Sequence, residues 1–225
     1  MTISVAATPK VLNLDPSSTA LIMIDMQKDF ILPGGFGAAL GNNVNLLLKT
    51  IAPCQQLLAL CRSQQIKIIH TREGHRPDLS DLFETKRKRS AEPNRIGDPG
   101  PMGRILIRGE DGHDFVDELC PYDGEIVIEK SGKGAFYSTE LELILRRHGI
   151  NTLIFSGVTT EVCVSSTVRE ASDRGFDNLV VRECCGSYFP EFHNAALDMI
   201  SAQGGIFGSV CDLPALVSAF NSCPE

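Results

Sequence analysis

Asp25, Lys130 and Cys163 lie far apart in this sequence, yet together they hold the chemistry of a covalent hydrolysis. Each stands at or just past the end of an apolar, β-branched run. Asp25 closes Ala20–Asp25 (ALIMID), Lys130 closes Glu125–Lys130 (EIVIEK), and Cys163 follows Thr152–Val158 (TLIFSGV) after four residues. A thiol becomes a nucleophile on losing its proton. A carboxylate can take that proton and return it to a leaving amine, and an ammonium stabilises both anions. Cys163 is expected to open a helix running to about Arg174, with Gly175 as its stop. Unpaired N–H groups and the dipole at such a helix start favour thiolate over thiol. Each residue also has an ordinary use: Cys163 as core filler, Asp25 as a loop cap or ion ligand, Lys130 as a solvated strand end. Their joint placement at strand ends favours the chemical reading.

The three can converge only if the runs are parallel strands of one sheet. Right-handed crossovers then bring all the carboxyl ends to one edge, where open α/β sheets bind ligands. Strands are expected at Ala20–Asp25, Ile66–Thr71, Glu125–Lys130, Thr152–Val158, Asn178–Glu183 and Ile206–Val210. Helical patterns lie between them: Asn43 to about Gln64 with a break near Pro53, Thr139–Arg147 with a Thr139-x-x-Glu142 capping box, Phe192–Ala202, and Leu213–Phe220 at the end. The alternation predicts an α/β fold: one three-layer α/β/α domain over residues 1–225, with a six-stranded, mainly parallel, Rossmann-like sheet. Residues 72–114, rich in Pro, Gly and charge, form an irregular excursion expected to be a lid or pocket wall. Residues 1–16 are expected to be a flexible or docking arm.

The 225 residues carry a formal charge of −7, which argues against nucleic acid or an anionic membrane as the main partner. The Lys86–Arg89 run (KRKR) is too short to change this and reads as a solvated face. No apolar window is long enough to span a membrane, and no secretory signal is evident. Eight scattered cysteines suit free thiols in a reducing, cytoplasmic setting. Gly132-Lys133 lacks the Ser/Thr of a phosphate loop, and no Gly-x-Ser-x-Gly elbow is present. His70 and His75 form no convincing metal-ligand set, and Cys184–Cys185 read as buried packing.

The chain resembles the isochorismatase-like cysteine hydrolases. The motifs that carry the resemblance are Ile24-Asp25-Met26-Gln27-x-Asp29-Phe30, Glu129-Lys130, and Gly157-Val158-Thr159-Thr160-Glu161-Val162-Cys163-Val164. It implies a catalytic triad of Asp25, Lys130 and Cys163. It also implies a cis Val158–Thr159 peptide that turns the Thr159 N–H toward the Cys163 N–H as an oxyanion hole. Presence of the cysteine implies C–N hydrolysis through a covalent intermediate, and the lack of a convincing ligand set around His70 and His75 predicts that no metal or other cofactor is used. Further segments, His70–Leu79, Gly97–Pro101, Gly103–Leu106, Lys130–Phe136 and Gln203–Ser209, resemble biuret hydrolases. That likeness implies a small ureide substrate contacted by Phe30 and Gln203, and a homo-oligomer, dimer or tetramer. Gln203 could instead be a polar helix end. Triuret and ureidoacrylate amidohydrolases are the enzymatic alternatives, and a non-catalytic redox-responsive or binding protein is the alternative of another class.

Overall fold

The computed structural model describes residues 2–222. Ten strands occur among them, in chain order: β1 Ile3–Val5, β2 Leu12–Leu14, β3 Thr19–Ile24, β4 Lys67–Glu73, β5 Pro99–Gly100, β6 Gly103–Arg104, β7 Ile126–Lys130, β8 Thr152–Val158, β9 Asp177–Gly186 and β10 Ser209–Cys211. Six form the central sheet in the order β10-β9-β8-β3-β4-β7, and every pairing is parallel. Counting only those six, this is the 3-2-1-4-5-6 order of the Rossmann sheet. The order reverses between β3 and β8, so the crevice of a doubly wound fold opens beyond their carboxyl ends.

Alternation along β3 feeds two cores. Leu21 and Met23 join one apolar cluster with helices Ile51–Ser63 and Leu213–Asn221. Ala20, Ile22 and Ile24 join the other, with helices Leu141–Arg147, Ser165–Asp173 and Pro190–Gly205. All six residues of β3 are buried, as a central strand covered on both faces must be. Among the described residues, no helix is long and apolar enough to cross a membrane.

Several local expectations are corrected. The amino-terminal segment is not a loose arm. β1 and β2 pair as a hairpin, Ile3, Val5 and Leu14 enter the core, and Thr8 bridges to Val210 at the sheet edge. The Asn43–Gln64 pattern splits into Asn45–Leu48 and Ile51–Ser63, with Pro53 in the first turn of the second piece, where its missing N–H costs nothing. No capping box forms at Thr139: the helix starts at Leu141, and the Thr139 hydroxyl turns back to the Ala135 carbonyl. The Cys163 segment opens as a wide π turn, Thr160–Val164, before regular helix begins at Ser165.

The excursion is ordered. Ile96, Ile105 and Leu106 form a small core of their own, against which Phe30, Phe36 and Leu82 pack. Asp29 ties it down: Oδ2 accepts from the Leu106 N–H at 2.9 Å and Oδ1 from the Phe36 N–H at 3.3 Å. Asp29→Ala would leave both donors without that acceptor, at about 1–3 kcal/mol each where no water replaces it. We expect a lower denaturation midpoint and a raised KM from loosening of the Phe30–Phe36 wall. An unchanged midpoint would remove Asp29 as the anchor.

Candidate active site

Asp25, Lys130 and Cys163 meet at the carboxyl edge of the sheet, around the β3–β8 switch point. Asp25 follows β3 directly with φ of 51°, a left-handed conformation that bends the chain away from the strand. The Thr71 hydroxyl donates to Asp25 Oδ1 at 2.6 Å, and Lys130 Nζ lies 2.7 Å from Oδ2. Lys130 closes β7, is wholly buried, and donates to the Gly132 carbonyl at 3.0 Å. Burial alone would lower its pKa, but Asp25, Cys163 and Glu73 around it reverse the sign and keep it cationic. Gly157, with φ of +112°, permits this convergence, because a Cβ there would stand 2.0 Å from the Ile24 carbonyl oxygen.

A second carboxylate shares the site. Glu73 ends β4, is fully buried, and presents Oε2 at 3.6 Å from Cys163 Sγ and 3.7 Å from Lys130 Nζ. Lys133 Nζ lies 2.8 Å from Oε1 and Lys86 Nζ 2.7 Å from the same atom. Burial would raise the Glu73 carboxyl, but Lys130, Lys133 and Lys86 outweigh it and hold the group well below the usual carboxylate range. Gln27 fixes the backbone here, accepting from the Glu73 N–H at 2.7 Å and donating to the Glu73 and His113 carbonyls.

Cys163 opens onto a cavity of about 120 Å³. Phe30, Phe36, Tyr188 and Val162 form its apolar walls, and Glu73, Lys133 and Thr159 its polar side. The Tyr188 hydroxyl donates to the Phe30 carbonyl at 2.6 Å, closing one wall. The segment from residue 19 to residue 212 matches the isochorismatase domain model. The chain belongs to the isochorismatase family. It is 33% identical to the ureidoacrylate amidohydrolase RutB of Pantoea ananatis over 92% of this chain and 86% of that one. It is 31% identical to RutB of Serratia proteamaculans, over 95% and 87%. An isochorismatase family protein from Desulfovibrio vulgaris superposes with a TM-score of 0.76 at 29% identity, over 91% of this chain and 98% of that one.

Within this isochorismatase-family site, the Val158–Thr159 peptide is cis, as the resemblance implies, and Thr159 and Cys163 line the same cavity. Phe30 is at the wall as expected. Gln203 is not. It is exposed, with φ of 52°, in the break that ends the helix Pro190–Gly205. That helix starts after the carboxyl end of β9 and runs back to the start of β10, so Gln203 lies at the opposite edge of the sheet from Cys163 in the same chain.

The thiol is also not poised as thiolate. Cys163 is only 4% exposed, and burial pushes its pKa well up against the pull of Lys130 and Lys133. His70 and His75 are both engaged, His70 with Glu125 at 2.9 Å and His75 with Asp81 at 3.2 Å. Asp25, Glu73 and Cys163 bring ligand-type atoms within 4.8 Å of one another. The Lys130 ammonium lies beside both carboxylates of that cluster and supplies the positive charge such a group attracts.

Glu73, Lys86 and Lys133 were not among the residues expected at the site. Glu73 shares the strand-end signature of Asp25 and Lys130, hidden because the second strand reads as ending at Thr71. Lys133 stands in the Gly132-Lys133 pair set aside as a failed phosphate loop. Lys86 lies in the basic run read as a solvated face, and the structure corrects that reading: its side chain is only 13% exposed.

Proposed function

We propose that this protein is a metal-independent cysteine amidohydrolase that cleaves a C–N bond of a small ureide and releases ammonia. The observation that carries it is the Cys163 thiol on a small cavity wall, with the Asp25 carboxylate and Lys130 ammonium packed behind it. The names of the curated relatives support amide hydrolysis on a ureide.

Cys163 rests as a thiol, so attack requires its proton to leave. Asp25, with its carboxylate within 4.8 Å of Sγ, accepts it while Lys130 stabilises the charges. Sγ bonds to the ureide carbonyl carbon and the π pair moves to oxygen. The Thr159 and Cys163 N–H groups receive that oxyanion, each lowering the barrier by ~3 kcal/mol. Collapse breaks the C–N bond as Asp25 returns the proton to departing ammonia. Water then attacks the S-acyl carbon and gives a proton to Asp25; collapse breaks the C–S bond, and Asp25 hands that proton to the leaving sulfur to restore the thiol.

The cavity is small, about 120 Å³. That suits a compact planar molecule, and biuret is our first substrate. Remoteness of Gln203 removes one contact on which a biuret-specific pocket was expected, so the choice rests on size and on the ureide class. Lys133 favours a second reading, since an ammonium facing the cavity suits a carboxylate-bearing ureide such as ureidoacrylate.

Ammonia release from chelator-treated protein given biuret, triuret or ureidoacrylate, with Cys163→Ala as control, tests both. We expect release that vanishes in the variant and is fastest for biuret. Preference for ureidoacrylate would move the assignment to the second reading. No release from any ureide by folded protein would overturn the function.

A further inference from the structure

Lys86 lies on the short helix Glu84–Arg87 of the excursion, yet its ammonium leaves solvent and enters a cradle of three acceptors. Glu73 Oε1 is 2.7 Å away, His75 Nε2 2.9 Å and the Ser131 carbonyl oxygen 2.6 Å. Three donors on Nζ meet three acceptors, so the group is fully satisfied although largely buried. The contact also fixes the imidazole. Nε2 must accept from Lys86, which puts the His75 proton on Nδ1, facing Asp81. Burial and Lys86 both lower the His75 pKa, keeping the ring in that neutral, accepting form.

We propose that Lys86 is a positioning residue: a tethered cation that pins Glu73 Oε1, so that Oε2 faces Cys163 and Lys133 stays at the cavity, and that thereby sets how easily the thiol ionises. The titratable and charged groups facing Glu73 are Lys86 from the excursion, Lys130 and Lys133 from β7 and the turn after it, Cys163 from the turn after β8, the Asp25 carboxylate just past β3, and His75 beyond β4, reached through Lys86. Without Lys86 the buried carboxylate keeps two cations instead of three, and its negative charge falls less screened on the thiol. A more negative neighbourhood disfavours thiolate. The cradle also explains why a piece of the excursion reaches the site at all: the cover brings a charge that the sheet edge does not supply.

The inference rests on Cys163 being the working nucleophile, so its test reads the thiol directly rather than turnover. The rate of Cys163 alkylation by iodoacetamide is followed against pH in wild type, Lys86→Ala and Lys86→Met. We expect both profiles to move up by about one pH unit. In Lys86→Ala, propylammonium in the buffer should restore the wild-type profile, because the truncated side chain leaves room for it. Should Lys86→Ala fail to fold, Lys86→Met retains the packing of the stem and carries the profile test alone. A shifted and rescued profile in a protein that hydrolyses no ureide would leave this inference standing while the proposed reaction falls. Ureide hydrolysis with an unshifted profile in the variants would do the reverse. A shift that propylammonium does not reverse would make Lys86 a prop for the excursion and overturn the proposal.

Discussion

Serine in place of Cys163 is expected to abolish turnover, by on the order of 10³-fold or more, while leaving the fold intact. The site explains why a hydroxyl cannot substitute. It offers the nucleophile carboxylates and ammonium groups but no free imidazole: His75 is locked between Lys86 and Asp81, and His70 against Glu125. A carboxylate can draw a proton from a thiol as the C–S bond forms. It is far too weak a base for an alcohol, whose conjugate base is much more basic than thiolate. Burial sharpens the contrast, because it already pushes the Cys163 thiol up and would oppose an alkoxide more strongly. Stability should fall by only about 1–3 kcal/mol, the cost of a buried hydroxyl whose shorter C–O bond leaves it beyond hydrogen-bond reach of Glu73 Oε2. Rapid-quench measurement of the first turnover gives the complementary readout: covalent labelling of wild type by a ureide and none of Cys163→Ser. Serine protein turning over near the wild-type rate would remove the covalent mechanism.

Sheet, layers and the meeting of Asp25, Lys130 and Cys163 at one edge were legible because each rests on a short-range signal. Apolar runs of the right length mark β3, β7 and β8, and a polar, chemically capable residue at each end marks the edge that topology then assembles. What escaped depends on long-range approach. β4 continues through Arg72 to Glu73, and a charged residue in an exposed-reading position ended the run on paper two residues early. Lys86 belongs to a cluster of like charges, and only the approach of residues 84–87 to β4 separates it from its solvated neighbour Lys88. The hairpin of β1 and β2 has three-residue strands, too short to show a period, and is stabilised by packing against Leu213, Leu216 and Phe220 near the chain's other end. Thiolate character was misjudged for a related reason. A helix start was legible near Cys163, but the depth at which the π turn buries the sulfur was not.

Lys130→Met is expected to remove both activity and much of the stability, and acid should separate the causes. The Lys130 ammonium is the closest cation to Asp25, at 2.7 Å, and neither side chain has any exposure. Breaking a buried pair on one side costs about 3–5 kcal/mol, because the remaining charge stays uncompensated. Glu73 suffers less, since Lys86 and Lys133 stay beside it. In wild type, three ammonium groups hold the Glu73 carboxyl below its ordinary value despite burial. A depressed carboxyl contributes stability that is present above the unfolded pKa of about 4.3 and is lost as pH falls through the folded value. Loss of Lys130 weakens that depression, so the variant should have less stability to lose on acidification, and the gap between the two proteins should narrow toward low pH. Urea midpoints of both proteins across the acid range measure this directly. The decisive comparison adds Asp25→Asn. Neutralising the orphaned carboxylate should return most of the lost stability to Lys130→Met, while Asp25→Asn alone leaves an unpaired ammonium and destabilises. Simple additivity of the two changes would show that the pair is not what stabilises this edge of the sheet. Recovery of stability without recovery of turnover would show that these two charges hold the site together and also act in the reaction it performs.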